Sequence, residues 1–331
     1  MNWSIESLVL ELRYTWKLSR NAADQKTNLI ITCGDHLVQG KGEAAPNIRY
    51  DETPEKLLAE FEVFRKMVGS VELNYDSLIE LIHSLQLSKA LSFGIESAYI
   101  HYELKRTKRN FQEWMQVPAP PESIPISYTI PIMDPAAMKT FYQDYSLKRF
   151  PFVKLKINAE SGFDCLNYLL SFTDVPVMVD ANEGFKDVEE CIQWLERIKR
   201  MPLVLVEQLL PAAAKEESIY LKKHCPFPIF ADETVTDEAD FDYLTKSFDG
   251  INVKLMKAGS YRNGIRLLKE AKANGMQTMI GCMVETTLGI SSAMNLCGLT
   301  DYHDLDSFLL LREEPFGLVN ESEGALSISK R

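Results

Sequence analysis

Branched and other apolar residues crowd three short runs at the start of the chain, residues 7–14, 27–33 and 37–43. Turn-forming residues part them, Asn21-Ala22-Ala23-Asp24 first and then Gly34-Asp35, so three β-strands are predicted. The period then lengthens. Apolar positions recur at helical spacing over 54–67 and 88–108, and Thr53 ahead of Pro54 supplies a cap and a first-turn proline. Residues 1–116 therefore read as a small α+β unit. The stiff segment Val117-Pro118-Ala119-Pro120-Pro121 marks its boundary.

Beyond that boundary, short β-branched runs alternate with helical stretches, which is the rhythm of βα units around a parallel sheet. The predicted strands are 124–130, 152–157, 177–180, 203–207, 229–232, 251–255, 277–281 and 306–310. Charged residues stand near their C-terminal ends at even intervals: 24 residues from Lys156 to Asp180, 27 to Glu207, 25 to Asp232 and 22 to Lys254. A doubly wound sheet would gather ligands at one switch point. Function at every strand end points to a barrel of the (β/α)8 type over 117–311. No helix is evident after the last strand, so the barrel is a (β/α)7β variant. Residues 312–331 form a tail expected to return to the N-terminal cap.

Strand alternation assigns directions to the charges. In Phe152-Val153-Lys154-Leu155-Lys156-Ile157 the apolar set suits the helix-packed outer face, which turns Lys154 and Lys156 into the barrel. A solvated edge strand is the competing reading, and a closed barrel has no edge. Asp180, Glu207 and Asp232 each end an apolar run. One such acid is often only a helix cap. Three in successive units converge, and their repulsion calls for a cation; oxygen donors on fixed strand ends suit Mg²⁺. Lys254 on the sixth strand faces Lys154 and Lys156 on the second across the ring. A lysine on each face of a bound carbon acid can remove and return a proton. A cation and Lys154 together would stabilise the enediolate charge. Such a base must be neutral, and burial beside other cations is expected to lower its pKa from about 10.4.

Composition adds mostly exclusions. The formal charge of −11 argues against a nucleic-acid surface. Five histidines lack zinc-ligand spacing, and six cysteines without a CxxC pair read as reduced thiols. Cys282 lies in a candidate site strand, with a small apolar filler as the alternative. No apolar stretch reaches membrane-spanning length, and the first residues lack a signal-peptide pattern, so a cytoplasmic location is expected.

The motifs Lys154-Leu155-Lys156, Val179-Asp180-Ala181-Asn182, Val206-Glu207-Gln208, Ala231-Asp232-Glu233 and Lys254-Leu255-Met256-Lys257-Ala258-Gly259 resemble the muconate-lactonizing subgroup of the enolase superfamily. Gly42-Glu43-Ala44 extends the resemblance into the cap. Ser260 stands where such sequences usually carry a second glycine. Asp304-Leu305-Asp306 resembles the DxD of dipeptide epimerases, which binds the substrate's α-ammonium group, and Gly281-Cys282-Met283-Val284-Glu285-Thr286 resembles their seventh-strand motif.

The resemblance implies Mg²⁺ on Asp180, Glu207 and Asp232, with Lys156 and Lys254 as acid/bases and Lys154 assisting. It implies substrate contacts at Asp304, Asp306, Thr129, Cys282 and Met283. The expected partner is a small dipeptide, not nucleic acid or membrane; a homo-oligomer is left open. Cap loops at about 19–25 and 45–52 would meet the substrate's far end. Arg20, or its rival Arg49, is a candidate partner for an acidic side chain, as in an Ala-Glu dipeptide of cell-wall peptide metabolism. The alternatives are an o-succinylbenzoate synthase, a cycloisomerase, or an inactive small-molecule-binding barrel. The first two have substrates without an ammonium group for Asp304 and Asp306.

Overall fold

Alternation shapes the first strand. In β1 (Asn2–Lys17) Leu10 and Leu12 are buried while Val9, Glu11 and Arg13 face water. A computed structural model describes residues 1–19, 22–69 and 73–329. β1 pairs antiparallel with β2 (Ala22–Gly34), which pairs antiparallel with β3 (Gln39–Ala44). The first two strands run longer than the apolar runs predicted, and their register shifts between Glu11 and Trp16. Helices α1 (Pro54–Val68), α2 (Tyr75–Ser84) and α3 (Lys89–Thr107) follow. Thr53 accepts from the Lys56 amide at the start of α1, as a cap should. α3 crosses the sheet so closely that a Cβ at Gly40 or Gly42 would collide with its backbone.

The chain enters the barrel through β4 (Ile124–Pro125). Eight parallel strands follow in sequential order: β5 (Ser127–Ile130), β6 (Phe152–Lys156), β7 (Val177–Asp180), β8 (Leu203–Glu207), β9 (Ile229–Ala231), β10 (Gly250–Lys254), β11 (Gln277–Gly281) and β12 (Tyr302–Asp304). β12 comes back against β5. Valines and isoleucines turn outward toward the helices. Inside, Met178, Leu205, Phe230 and Met279 form an apolar floor with Phe152 and Tyr302. A period of two then places polar residues above that floor: Lys154 and Lys156, Asp180, Glu207, Asp232, Asn252 and Lys254. Dry at the bottom and charged at the top, the barrel can hold chemistry at one end only.

One predicted strand is misplaced. The eighth strand is Tyr302–Asp304, whereas Ser307–Leu310 is a 3-10 turn. Its apolar run imitates a strand, but the Leu309 amide donates to Asp306 O and the chain turns. Leu310 and Leu311 then bury against Leu10 and Leu12 of the cap. Arg13 donates to Leu311 O, and Arg312 donates through its amide to Glu11 O and through Nε to Leu12 O. The final hairpin, β13 (Val319–Ser322) and β14 (Ala325–Ile328), pairs with β4 at the barrel entrance. Among the described residues no helix is long and apolar enough to cross a membrane.

Candidate active site

Strand register brings the charges together. Lys156 of β6 lies beside Asp180 of β7, and Asp180 beside Glu207 of β8. Asp232 follows β9 directly, so three neighbouring strands each present one buried carboxylate. The turns that follow are bent hard: Asn182, Glu183 and Gln208 have φ of 45°, 65° and 38°. Such left-handed backbone is costly for residues with a side chain and concentrates at functional sites. At Gln208 it aims an amide oxygen at the Asp232 and Thr234 N–H groups, 2.9 and 3.1 Å away.

Each acid is drawn to an ammonium. Lys154 Nζ lies 2.8 Å from Asp304, 2.9 Å from Glu207 and 3.4 Å from Asp180. Lys156 donates to Asp180 at 2.6 Å and to Asn182 Oδ1 at 2.8 Å. Lys254 donates to Asp232 Oδ2 at 2.9 Å, while Lys257 takes Oδ1 of the same carboxylate at 2.7 Å and also its backbone oxygen. Burial opposes ionisation of Asp180, but Lys156 and Lys154 outweigh it and hold this carboxyl at about 2. Burial likewise yields to Lys254 and Lys257 at Asp232, which is held well below the carboxylate range. Glu207 is different. Burial pushes it up to about 7 even with Lys154 beside it.

Lys254 corrects one expectation. Burial does act to lower its pKa, yet Asp232 overrides burial and keeps the ammonium charged above the ordinary value. Sequence reading weighed the neighbouring cations and missed the carboxylate contact. Lys257, whose pKa burial lowers, stood in a quoted motif without a role. Its position one helical turn after Lys254 is the signal that could have assigned it.

Asp304 accepts from Ser127 Oγ at 2.9 Å and from Lys154; Asp306 accepts from the Thr129 amide at 2.6 Å. These bonds also tie the last strand to the first. Burial and the nearby Asp304 push Asp306 up to about 7, whereas Lys154 overcomes burial and holds Asp304 low. The DxD acids are therefore unequal.

A cavity of about 270 Å³ opens between the barrel mouth and the cap. Lys156, Asp232, Lys254, Asp304, Asp306, Thr129, Cys282 and Met283 border it, while Lys154, Asp180 and Glu207 lie buried below. Cys282 donates to Asp304 O, and all six cysteines are free thiols. From the cap come Trp16 and Lys26, which sequence reading passed over, and Tyr50 of the expected 45–52 loop. Trp16 was legible: Leu10, Leu12, Tyr14 and Trp16 alternate on one face of β1. Arg49 borders the cavity too, but it grips Glu183 with two hydrogen bonds of 3.0 and 2.9 Å. Arg20 lies outside the described residues.

Among the described residues no three ligand-type side chains stand close enough to grip an ion, because lysines fill the space between the acids. The donor set nevertheless fits a hard dication. Glu207 Oε2 is buried with the Lys154 ammonium 2.9 Å away as an ion pair but accepts no hydrogen bond of good geometry. Asp180, Glu207, Asp232, Asp304 and Asp306 outnumber Lys154, Lys156, Lys254 and Lys257 by one. The surplus shows at Glu207 and Asp306, the two pushed up to about 7.

Known proteins resemble this chain in sequence and fold. A family profile described as "Enolase C-terminal domain-like" matches residues 138–309. An L-Ala-D/L-amino acid epimerase of Flavobacterium johnsoniae is 30% identical over 324 residues, covering 97% of this chain and 94% of its own. An enolase family member from Agrobacterium tumefaciens, solved with sodium and L-Ala-L-Glu, superposes with a TM-score of 0.90 at 25% identity over 99% and 98% of the two chains. The dipeptide epimerase of Cytophaga hutchinsonii, complexed with Mg and D-Ala-L-Val, shares the fold with a TM-score of 0.91 at 18% identity over 98% and 92%. With this fold, these matches and its strand-end motifs, the chain belongs to the enolase superfamily.

Proposed function

We propose that the protein is an isomerase, a Mg²⁺-dependent dipeptide epimerase that inverts the α-carbon of a dipeptide's C-terminal residue by 1,1-proton transfer. One observation carries the reading. Lys156 and Lys254 sit on β6 and β10, half-way round an eight-stranded ring from each other, and both border the same cavity. An α-carbon held between them has an amine on either face. One lysine, neutral, takes the α-proton; the other, charged, returns a proton to the opposite face. Asp304 and Asp306, at the end of β12, supply negative charge where the substrate's ammonium group would lie.

Asp180, Glu207 and Asp232 would hold Mg²⁺, which supplies Lewis-acid stabilisation of the charge developing on the substrate carboxylate. Lys154 adds fixed positive charge from below. Drawing Asp232 away from Lys254 removes the contact that keeps that lysine charged, so the resting ion pairs and a working base are compatible. An Ala-Glu type substrate fits the cap better than an apolar one, because Lys26 borders the cavity and the burial of its amine lowers its pKa, a penalty that a substrate carboxylate offsets.

The test is α-proton exchange in D₂O over a dipeptide panel, read by mass. Deuterium should enter the C-terminal residue of both epimers of Ala-Glu. Chelation should stop the exchange and added Mg²⁺ restore it. Exchange unaffected by exhaustive chelation, or absent from every dipeptide, removes the proposal.

A further inference from the structure

The two lysines are not housed alike. Three contacts bring the end of β1 and the residues after it onto the Lys156 side of the site. The Trp16 ring covers the Lys156 amine, with Nζ 5.8 Å from the ring centroid. Ser19 Oγ donates to Asn182 O at 2.9 Å, and the Asn182 side chain is one of the two acceptors holding Lys156 Nζ. Lys17 O accepts from the Ile132 amide at 3.1 Å, which ties this segment to the loop after β5, next to the Lys156 strand. Lys254 across the cavity gives its amine to Asp232, a barrel residue.

We infer that the cap segment 16–19 is a positioning device for Lys156 alone, with Trp16 roofing the amine and Ser19 bracing the Asn182 turn. This rests on the two-lysine reading proposed above. The physics is local. An aromatic face attracts an ammonium within about 6 Å of its centre and restricts where that amine can swing. Asn182 sits in left-handed backbone, φ 45°, which is a strained conformation that an external hydrogen bond helps to hold. A base held about 1 Å out of place loses much of its rate. Loosening this segment should therefore slow proton transfer on one face of the substrate and leave the other face to Lys254. The cap then sets how evenly the two epimers are handled.

The experiment follows α-proton exchange separately from the L,L and L,D forms of Ala-Glu in D₂O, with Mg²⁺ present. Wild type is compared with Lys156→Ala, Trp16→Leu, Trp16→Phe and Ser19→Ala. Lys156→Ala identifies the epimer that depends on Lys156. Trp16→Leu should slow exchange of that same epimer about tenfold more than it slows the other. Trp16→Phe, which keeps an aromatic face, should restore most of the rate. Ser19→Ala should slow the same epimer by a few-fold, and it carries the test if Trp16→Leu does not fold. Equal slowing of both epimers would make segment 16–19 merely structural and overturn the inference, as would no change in either. Failure of the parent reading looks different: wild type exchanges neither epimer, or Lys156→Ala has no effect on both.

Discussion

Barrel and cap meet at one cavity, but they present their side chains to it by different means. On the barrel side each charge ends or directly follows a strand whose neighbours fix it in register, as at Lys156, Asp180 and Glu207. On the cap side Trp16 and Lys26 come from two antiparallel strands next to a register shift, and Tyr50 from a single 3-10 turn. A parallel barrel cannot move one strand end without moving its neighbours. A two-strand edge and a turn can. The difference teaches a division of labour: barrel side chains should govern how fast the proton moves, and cap side chains which molecule, and which of its epimers, is served.

The largest effect tests the barrel half of that division. Lys156→Ala and Lys254→Ala should each reduce epimerisation by roughly 10²–10⁴-fold, the usual worth of a positioned acid or base. Each variant should keep α-proton exchange in one epimer only. NMR of each epimer in D₂O distinguishes the faces. Loss of exchange from both epimers in either variant would mean that the lysines act as one unit and not as two walls.

Asp306→Asn should follow, with about 10- to 100-fold lost in kcat/KM, the range expected when one charged hydrogen-bond partner is neutralised. Because the substrate's ammonium group does not react, most of that loss should fall on KM. A loss confined to kcat would place Asp306 with the proton-transfer groups. Lys26→Glu sharpens the cap half. It should cut kcat/KM for Ala-Glu by roughly tenfold, leave an apolar dipeptide within a few-fold, and improve a dipeptide ending in lysine. Equal losses on all three would take Lys26 out of substrate selection.

The same division explains what could be read from the residues. Strand-end charges are legible because alternation fixes their direction and the barrel fixes their level, so Lys156, Asp180, Glu207, Asp232 and Lys254 follow from local pattern alone. Asp304 was legible as a motif, but its strand was set too late, since Phe308-Leu309-Leu310-Leu311 carries the stronger apolar signal. That run is apolar because it packs on the cap. α2 was missed because it is only ten residues long and its capping box pairs Asn74 with Ser77 instead of an acidic residue. Ser260, read as a departure from a glycine, caps the following helix by accepting from the Asn263 amide. Local pattern could place Lys257 and Trp16 at the site, but it does not name their partners across the chain, Asp232 and Lys156.

The smallest predicted effect concerns the seam between the two halves. Glu43 of β3 is buried, yet Asn28, the Thr286 amide and hydroxyl and the Gly289 amide all donate to it. Burial raises the Glu43 pKa above the ordinary carboxyl value, and these hydrogen bonds oppose the rise. Glu285 beside it accepts from the Met283 amide, and burial together with Glu43 pushes it from 4.5 up to about 8. The sign follows from proton counting. Between 4.5 and about 8 the folded protein binds a proton at Glu285 that the unfolded chain has released, so stability falls as pH rises through that window. Glu285→Gln keeps a hydrogen-bonding group of the same shape and removes the titration. Thermal melts of wild type and variant should coincide near pH 4.5 and diverge above it. By pH 8 the variant should be the more stable, by at least about 1 kcal/mol, or roughly 2 °C in Tm for a chain of this size. Parallel curves from pH 4.5 to 8 would mean that Glu285 is ionised in the folded state.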